Sequence, residues 1–450
     1  MIRQVSQPAA GLALALALLG PPDATAQNRA GLEAELERLH GTLRIPSMSA
    51  AVVEGGTLVW VRHFGLHAAP GDPVRYPLGS LTQPFAAVLA VREAERGRLS
   101  LDTRVDRPDG VAVRMRHLLA HTAAGTPGAR FVYSSDLYRL LGPPLARAAG
   151  ATLSQALTAE VIRPLGLRQT VAPAGTSASH GLESTVEDLA RFAAGVERGT
   201  VLSAASTTEL FRAPRGEAGR AFPCALGWFL QQVGGEQVRW QFSQEDHASG
   251  LLINLPRRRL TLVVLARSDR LNAPFWLASG DVRWSPVAYA FLSAWARVRV
   301  DLPEARRVML DAIVALSKGR AAEGAALAKR ASVIAPPLTN ADPVLLSVFA
   351  RSGDRDLRQV GRRMARRLLD ADRDHPRVLF DLALLNLEDG QAEEARRLVN
   401  QILADRQATP EIERAARERL RTQTRSNRDP GGSGRSAPVP PGPHREPATR

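Results

Sequence analysis

Lysine is almost missing from this chain. Of its 450 residues only Lys318 and Lys329 are lysines, so no ammonium side chain precedes position 318. Cysteine is scarcer still. The single Cys224 excludes an intrachain disulfide, and the fold owes nothing to an oxidising compartment. Aromatic residues make up 5% of the chain and no nucleic-acid motif is present, which sets aside a nucleic-acid partner despite the basic balance. The apolar run from Ala9 to Leu19 is too short to span a bilayer.

Positive charge is plentiful. The formal net charge is +14, carried almost wholly by arginine. With so many alanines alongside, this reads as compositional bias, and it leaves room for weak attraction to an anionic cell envelope. The first residues read as a secretory signal over 1–26. Arg3 supplies the positive start, Ala9 to Leu19 the apolar core, and Ala24-Thr-Ala26 the cleavage site. An uncleaved anchor is the alternative. Export to a bacterial periplasm or beyond is expected, and no lipobox cysteine lies near the cleavage site.

The stretch Tyr76-Pro-Leu-Gly-Ser80-Leu-Thr-Gln83-Pro-Phe85 leads into an apolar helical run, Ala86 to Val91. A serine in the first turn of a helix lies near free N–H groups and the positive end of the dipole. A lysine one turn later would point back at that hydroxyl and take its proton. Gln83 stands there instead. Alone, Ser80 reads as a helix N-cap, and Tyr133 reads equally as a core tyrosine. His117 and His121 are spaced i, i+4, a spacing that suits a metal on a helix. Glu245, Asp246 and His247 fall in a predicted turn, where His247 is an alternative base.

Five stretches in order resemble the serine β-lactamase and penicillin-binding-protein superfamily, in the class C-like branch that includes esterases and D-amino-acid peptidases. They are Ile45 to Gly65, the GSLTQPF segment with residues 97–105, His117-Leu-Leu-Ala-His121-Thr, Phe131-Val-Tyr133-Ser-Ser135-Asp-Leu-Tyr138, and the segment from Gly181 to Phe192. The resemblance covers about residues 42–297. It implies an α+β fold, with an antiparallel sheet flanked by helices plus an all-helical subdomain. It implies that Ser80 holds the nucleophile position and Tyr133 the tyrosine position. It also implies that backbone N–H groups of Ser80 and Gln244 form an oxyanion hole. The family uses the HLLxH segment structurally, so no metal and no cofactor are expected.

The remaining catalytic positions depart from the family. Its lysine is Gln83, the asparagine of its YSN is Ser135, and its KTG or HxG strand reads Gln241-Phe-Ser243. A glutamine donates and accepts hydrogen bonds but takes no proton. An unperturbed tyrosine, with a pKa of about 10, is a poor base near neutral pH. Only residues 126–130 separate the His121 segment from Phe131, so a shallow, open cleft is expected. Two functions compete: a degenerate binding or scaffold module, and a low-activity esterase or D-amino-acid amidase using Ser80. The cleft ligand in either case is small, acyl or peptide-like.

After residue 300 the apolar spacing becomes helical, with Ala325, Leu327, Ala328 and Ala331 in one segment and Leu379, Leu382, Ala383 and Leu385 in another. Gly319, Gly353 and Gly390 recur 34 and 37 residues apart, and Gly390-Gln-Ala-Glu-Glu-Ala395 resembles the opening of a tetratricopeptide helix. The predicted organisation is a 1–26 signal, a 27–300 β-lactamase-like domain, a 301–424 all-α tetratricopeptide-like domain and a 425–450 disordered tail. A helical array of this type binds a protein or peptide partner; a plain helical cap on the first domain is the alternative.

Overall fold

The computed structural model describes residues 24–65, 73–216, 219, 221–245, 247–272, 275, 277–300, 304–318, 320–334, 346, 349–350, 355–371, 376–404, 414–418 and 421. Most of the predicted signal and the predicted tail lie outside the described residues.

The chain opens with helix α1 (Ala24–Leu43), which runs across the expected cleavage site, and then the hairpin β1 (Ser47–Glu54) and β2 (Thr57–Gly65). A two-residue strand β3 (Tyr76–Pro77) and a 3-10 turn over Gly79–Thr82 deliver the chain into α2 (Gln83–Glu95). The small hairpin β4 (Arg104–Asp106) and β5 (Ala112–Arg114) precedes α3 (Met115–Leu119), α4 (Ser135–Tyr138), α5 (Gly142–Ala149) and α6 (Leu153–Leu157). Strand β6 (Glu183–Ser184) pairs with β3, and α7 (Val186–Glu197) and α8 (Ala204–Leu210) complete the helical subdomain. Serine and threonine caps set several helix starts: Ser134, Thr152, Thr185 and Ser203 each accept a backbone N–H from the first turn.

Four further strands, β7 (Phe229–Val233), β8 (Glu236–Glu245), β9 (Ala248–Leu255) and β10 (Leu260–Ala266), join the first hairpin. The six form one antiparallel sheet in the order β2-β1-β10-β9-β8-β7. The central strands β9 and β10 are buried along their whole length, which requires cover on both faces. Alternation divides their side chains between two cores. Leu252, Val263 and Leu265 face α2 and α7, whereas Leu251, Ile253, Leu262 and Val264 face the opposite layer.

That opposite layer begins with α1 and α9 (Pro286–Ala290). Its apolar cluster continues without a break into α10 (Glu304–Ser317), α11 (Ala321–Ile334), α12 (Arg355–Ala371), α13 (Pro376–Glu388) and α14 (Ala392–Ala404). Helices α11, α12 and α14 begin 34 and 37 residues apart. The class expected from sequence, α+β followed by an all-helical region, is the one found.

One strand starts later than expected. The sequence predicts a strand over 225–232, but β7 begins at Phe229. Gly227 has φ +74, and a Cβ there would lie 2.8 Å from Tyr138 Oη and 3.1 Å from the Gln83 carbonyl oxygen. The backbone turns at this glycine to pass close over the start of α2.

Candidate active site

Ser80 lies in the 3-10 turn ahead of α2, and β8 packs against that turn. It is not a helix cap: Thr82 precedes α2, with no capping bond from a side chain. The Ser80 hydroxyl instead meets Ser135 Oγ at 3.2 Å, from the first position of α4. Tyr133 reaches the same point, its phenol interacting with both Ser80 and Ser135.

Behind Ser80, Gln83 is fully buried. Its Nε2 donates to Tyr133 Oη at 3.2 Å. Its Oε1 accepts from Gln241 Nε2 at 3.1 Å and lies 3.1 Å from His121 Nε2. Strand periodicity places Gln241 here, because Trp240 and Phe242 on either side of it point into the opposite core. Gln241 Nε2 also donates to the Gly227 carbonyl, and its Oε1 accepts the Phe242 N–H. Tyr138 donates to the backbone carbonyl of Gln83 and pins the start of α2.

His121 is the residue that sequence reasoning missed. It has a left-handed φ of 53, two residues past the end of α3, so it does not share a helical face with His117. His117 accepts the Arg114 N–H at the other end of that helix. The Nδ1 of His121 accepts the Ser134 N–H at 3.1 Å, which leaves the ring proton on Nε2 to donate to Gln83. The second histidine of the HLLAHT segment is the available signal for it.

The pKa values follow from burial. Enclosure lowers His121 to about 3, so the ring is neutral at pH 7, the form whose Nδ1 lone pair accepts the Ser134 N–H. Burial raises Tyr133 to about 12, against the lowering effect of hydrogen bonds from Ser80, Ser135 and Gln83. Burial also pushes the Cys224 thiol up, which makes it an inert core residue. His247 is exposed in the turn after β8, and among the described residues no hydrogen bond joins it to Ser80.

Ser243 sits beside the Ser80 turn with its hydroxyl buried and without a hydrogen-bond partner. Its carbonyl, and that of Gly250 opposite it in the ladder, accept from Asn272 Nδ2 at 2.9 and 2.7 Å. Gln244 follows at the exposed end of β8, paired with Ser249. A cavity of about 1200 Å³ lies elsewhere, along the sheet edge at β7, lined by Phe211, Arg215, Phe222, Gln231 and Asp281 among others. It includes none of the Ser80 group.

Comparison with known proteins agrees with this architecture. Residues 32–275 match the family model described as Beta-lactamase. An octameric penicillin-binding protein homologue from Pyrococcus abyssi is 17% identical, with a TM-score of 0.54 over 62% of this chain and 81% of that one. A D-stereospecific amidohydrolase from Streptomyces sp. is 18% identical, with a TM-score of 0.49 over 60% and 99%. A β-lactamase from Mycobacterium bovis is 26% identical, with a TM-score of 0.45 over 58% and 99%. A search of curated protein sequences found no match. The family model spans more than half of the chain and takes in the sheet, the Ser80 turn and the helical subdomain, so the chain belongs to the β-lactamase family.

Proposed function

We propose that this protein is a β-lactamase-family module whose Ser80 site has lost its proton-transfer chemistry and retains a polar cleft for a small acyl or peptide-like ligand. The observation that carries this reading is the environment of Gln83. Its Nε2 donates to the Tyr133 phenol, and its Oε1 meets the Gln241 and His121 donors, an accepting role that an ammonium cannot fill. Loss of a positioned acid–base group costs about 10²–10⁴-fold in rate. Loss within a set that acts as a unit costs more.

In this reading Ser80 and Tyr133 are remnants of the catalytic set, and Gln83, Ser135, Gln241 and Ser243 are its degenerate positions. The backbone N–H groups of Ser80 and Gln244 supply the donors of an oxyanion hole. The leader composition supports export to the periplasm or beyond. The 34- and 37-residue spacing of α11, α12 and α14 supports a tetratricopeptide-like array over 301–424 that takes a protein or peptide partner. One observation favours the second reading, a weak acyl-serine hydrolase. Ser80 keeps two hydroxyl neighbours, Ser135 and Tyr133, able to relay a proton.

Hydrolysis of p-nitrophenyl acetate and of a chromogenic cephalosporin by wild type and Ser80→Ala separates the two. The degenerate reading expects equal, background rates. Turnover that disappears in Ser80→Ala would establish the hydrolase.

A further inference from the structure

The rim of the Ser80 site carries a carboxylate that the sequence left as an ordinary turn residue. Glu245 is the last residue of β8 and is exposed. Its side chain lies against Gly79, the residue before Ser80. A Cβ built on Gly79 would stand 2.9 Å from Glu245 Oε1, 3.0 Å from Cδ and 3.1 Å from Cγ. Gly79 also has φ +48, a conformation suited to glycine. Glycine thus makes room for the carboxyl group beside the Ser80 backbone.

No described ion pair engages Glu245. Asp136, next to Ser135, is by contrast paired with Arg139 and with Arg414 from the C-terminal helical region. The side chains that converge inside, Ser80, Gln83, His121, Tyr133, Ser135, Gln241 and Ser243, are all neutral at pH 7. Among the described hydrogen bonds and ion pairs, none brings a lysine or arginine to any of them. Among the described residues, Glu245 is therefore the carboxylate at this site that no described ion pair compensates. A second feature also points to a ligand. Ser243 is 1% exposed, its hydroxyl has no protein partner, and it lies on the face of β8 that meets the Ser80 turn.

We propose that the ligand of this cleft carries a protonated amine, held by Glu245, together with a neutral hydrogen-bonding group such as an amide that meets Ser243. The inference rests on the ligand-binding reading above and adds the charge of the ligand. A carboxylate ligand would meet a negative rim with no cation to receive it.

The test uses the full chain and three small probes that differ in charge: alaninamide, N-acetylalaninamide and N-acetylalanine. Binding of each enantiomer is followed by saturation-transfer NMR at low salt. Alaninamide is expected to bind tightest and N-acetylalanine weakest. In Glu245→Gln, alaninamide is expected to weaken by up to about fivefold, the scale of one exposed charge pair, and N-acetylalaninamide to change little. Added salt should erase the same preference. N-acetylalanine binding as well as alaninamide, or a preference for the amine that survives Glu245→Gln, overturns the assignment of Glu245 and leaves the binding cleft standing. Failure of all three probes to bind overturns the binding reading, and this inference with it.

Discussion

The side-chain amide of Gln241 donates to that of Gln83 at 3.1 Å, joining the two positions at which the family places basic groups. The two changes are chemically matched. Gln83 Oε1 supplies the acceptor that Gln241 Nε2 and His121 Nε2 both use. An ammonium at position 83 keeps the Tyr133 phenol as an acceptor but leaves these two donors without one.

The pair should therefore behave as a unit. Gln83→Met removes an acceptor from two buried donors and is expected to cost about 2–6 kcal/mol, at about 1–3 kcal/mol for each orphaned group. Gln241→Met in the same background should cost less than it does alone, with a coupling of about 0.5–3 kcal/mol. Urea unfolding of the four proteins of the cycle measures this. Additive losses would mean that the two amides do not depend on each other.

Stability should also depend on pH through His121. Its folded pKa of about 3 lies below the unfolded value of about 6.5. The unfolded chain therefore binds the extra proton, and this group's contribution is lost as pH falls from 6.5 towards 3. Each pH unit inside that window costs about 1.4 kcal/mol. Between pH 5 and 6.5, where carboxylates are largely ionised, the unfolding free energy of wild type should fall more steeply than that of His121→Gln. Equal slopes in the two proteins would show that the ring is not buried neutral.

Gly227→Ala is expected to be severe. The substitution forces a side chain into φ +74 and sets its Cβ 2.8 Å from both Ala87 Cβ and Tyr138 Oη. The combined strain and overpacking amount to about 2–5 kcal/mol. Tyr138 should lose its bond to the Gln83 carbonyl in the process. A variant as stable as wild type by urea unfolding would place the glycine in open space.

The C-terminal helices offer a contrast between sequence and structure. The charged stretch after Arg297 predicts a protease cut near 298–304 and two folded pieces. The apolar cluster that runs from Trp240 and Phe291 through Met309 and Ile313 to Leu385 and Ile402 predicts one resistant body reaching about residue 404. Arg297 also donates to Asn28 of α1 at 2.9 Å. Limited proteolysis with mass analysis decides between them: early release of a fragment beginning near 304 would favour two independent domains. The exposed Arg414–Asp136 pair adds little to this seating. Arg414→Ala should change unfolding by less than about 1 kcal/mol.

Much of this was legible in the chain itself. The runs at Leu251–Leu255 and Thr261–Ala266 read as strands because buried central strands are apolar on both faces. Ser80, Gln83, Tyr133, Ser135 and Gln241 were placed together by motif order, and the structure brings them within hydrogen-bond reach. His121 was overlooked because its role depends on a left-handed backbone and on the Ser134 N–H, neither of which leaves a local pattern. The late start of β7 was hidden in a similar way. Gly227 looks like part of an apolar strand until α2 passes above it. Glu245 resembles any polar turn residue in sequence, because its contact with Gly79 is made only in the fold.

On the proposed function, Ser80 has no base to activate it. Intact-mass spectrometry after exposure to a fluorophosphonate, and separately to a penicillin, tests it most directly. Wild type and Ser80→Ala should both keep the unmodified mass with either reagent over the time in which an active serine hydrolase is fully labelled. Rapid, stoichiometric addition to wild type that is absent in Ser80→Ala would contradict the account and make this protein a working acyl-serine enzyme.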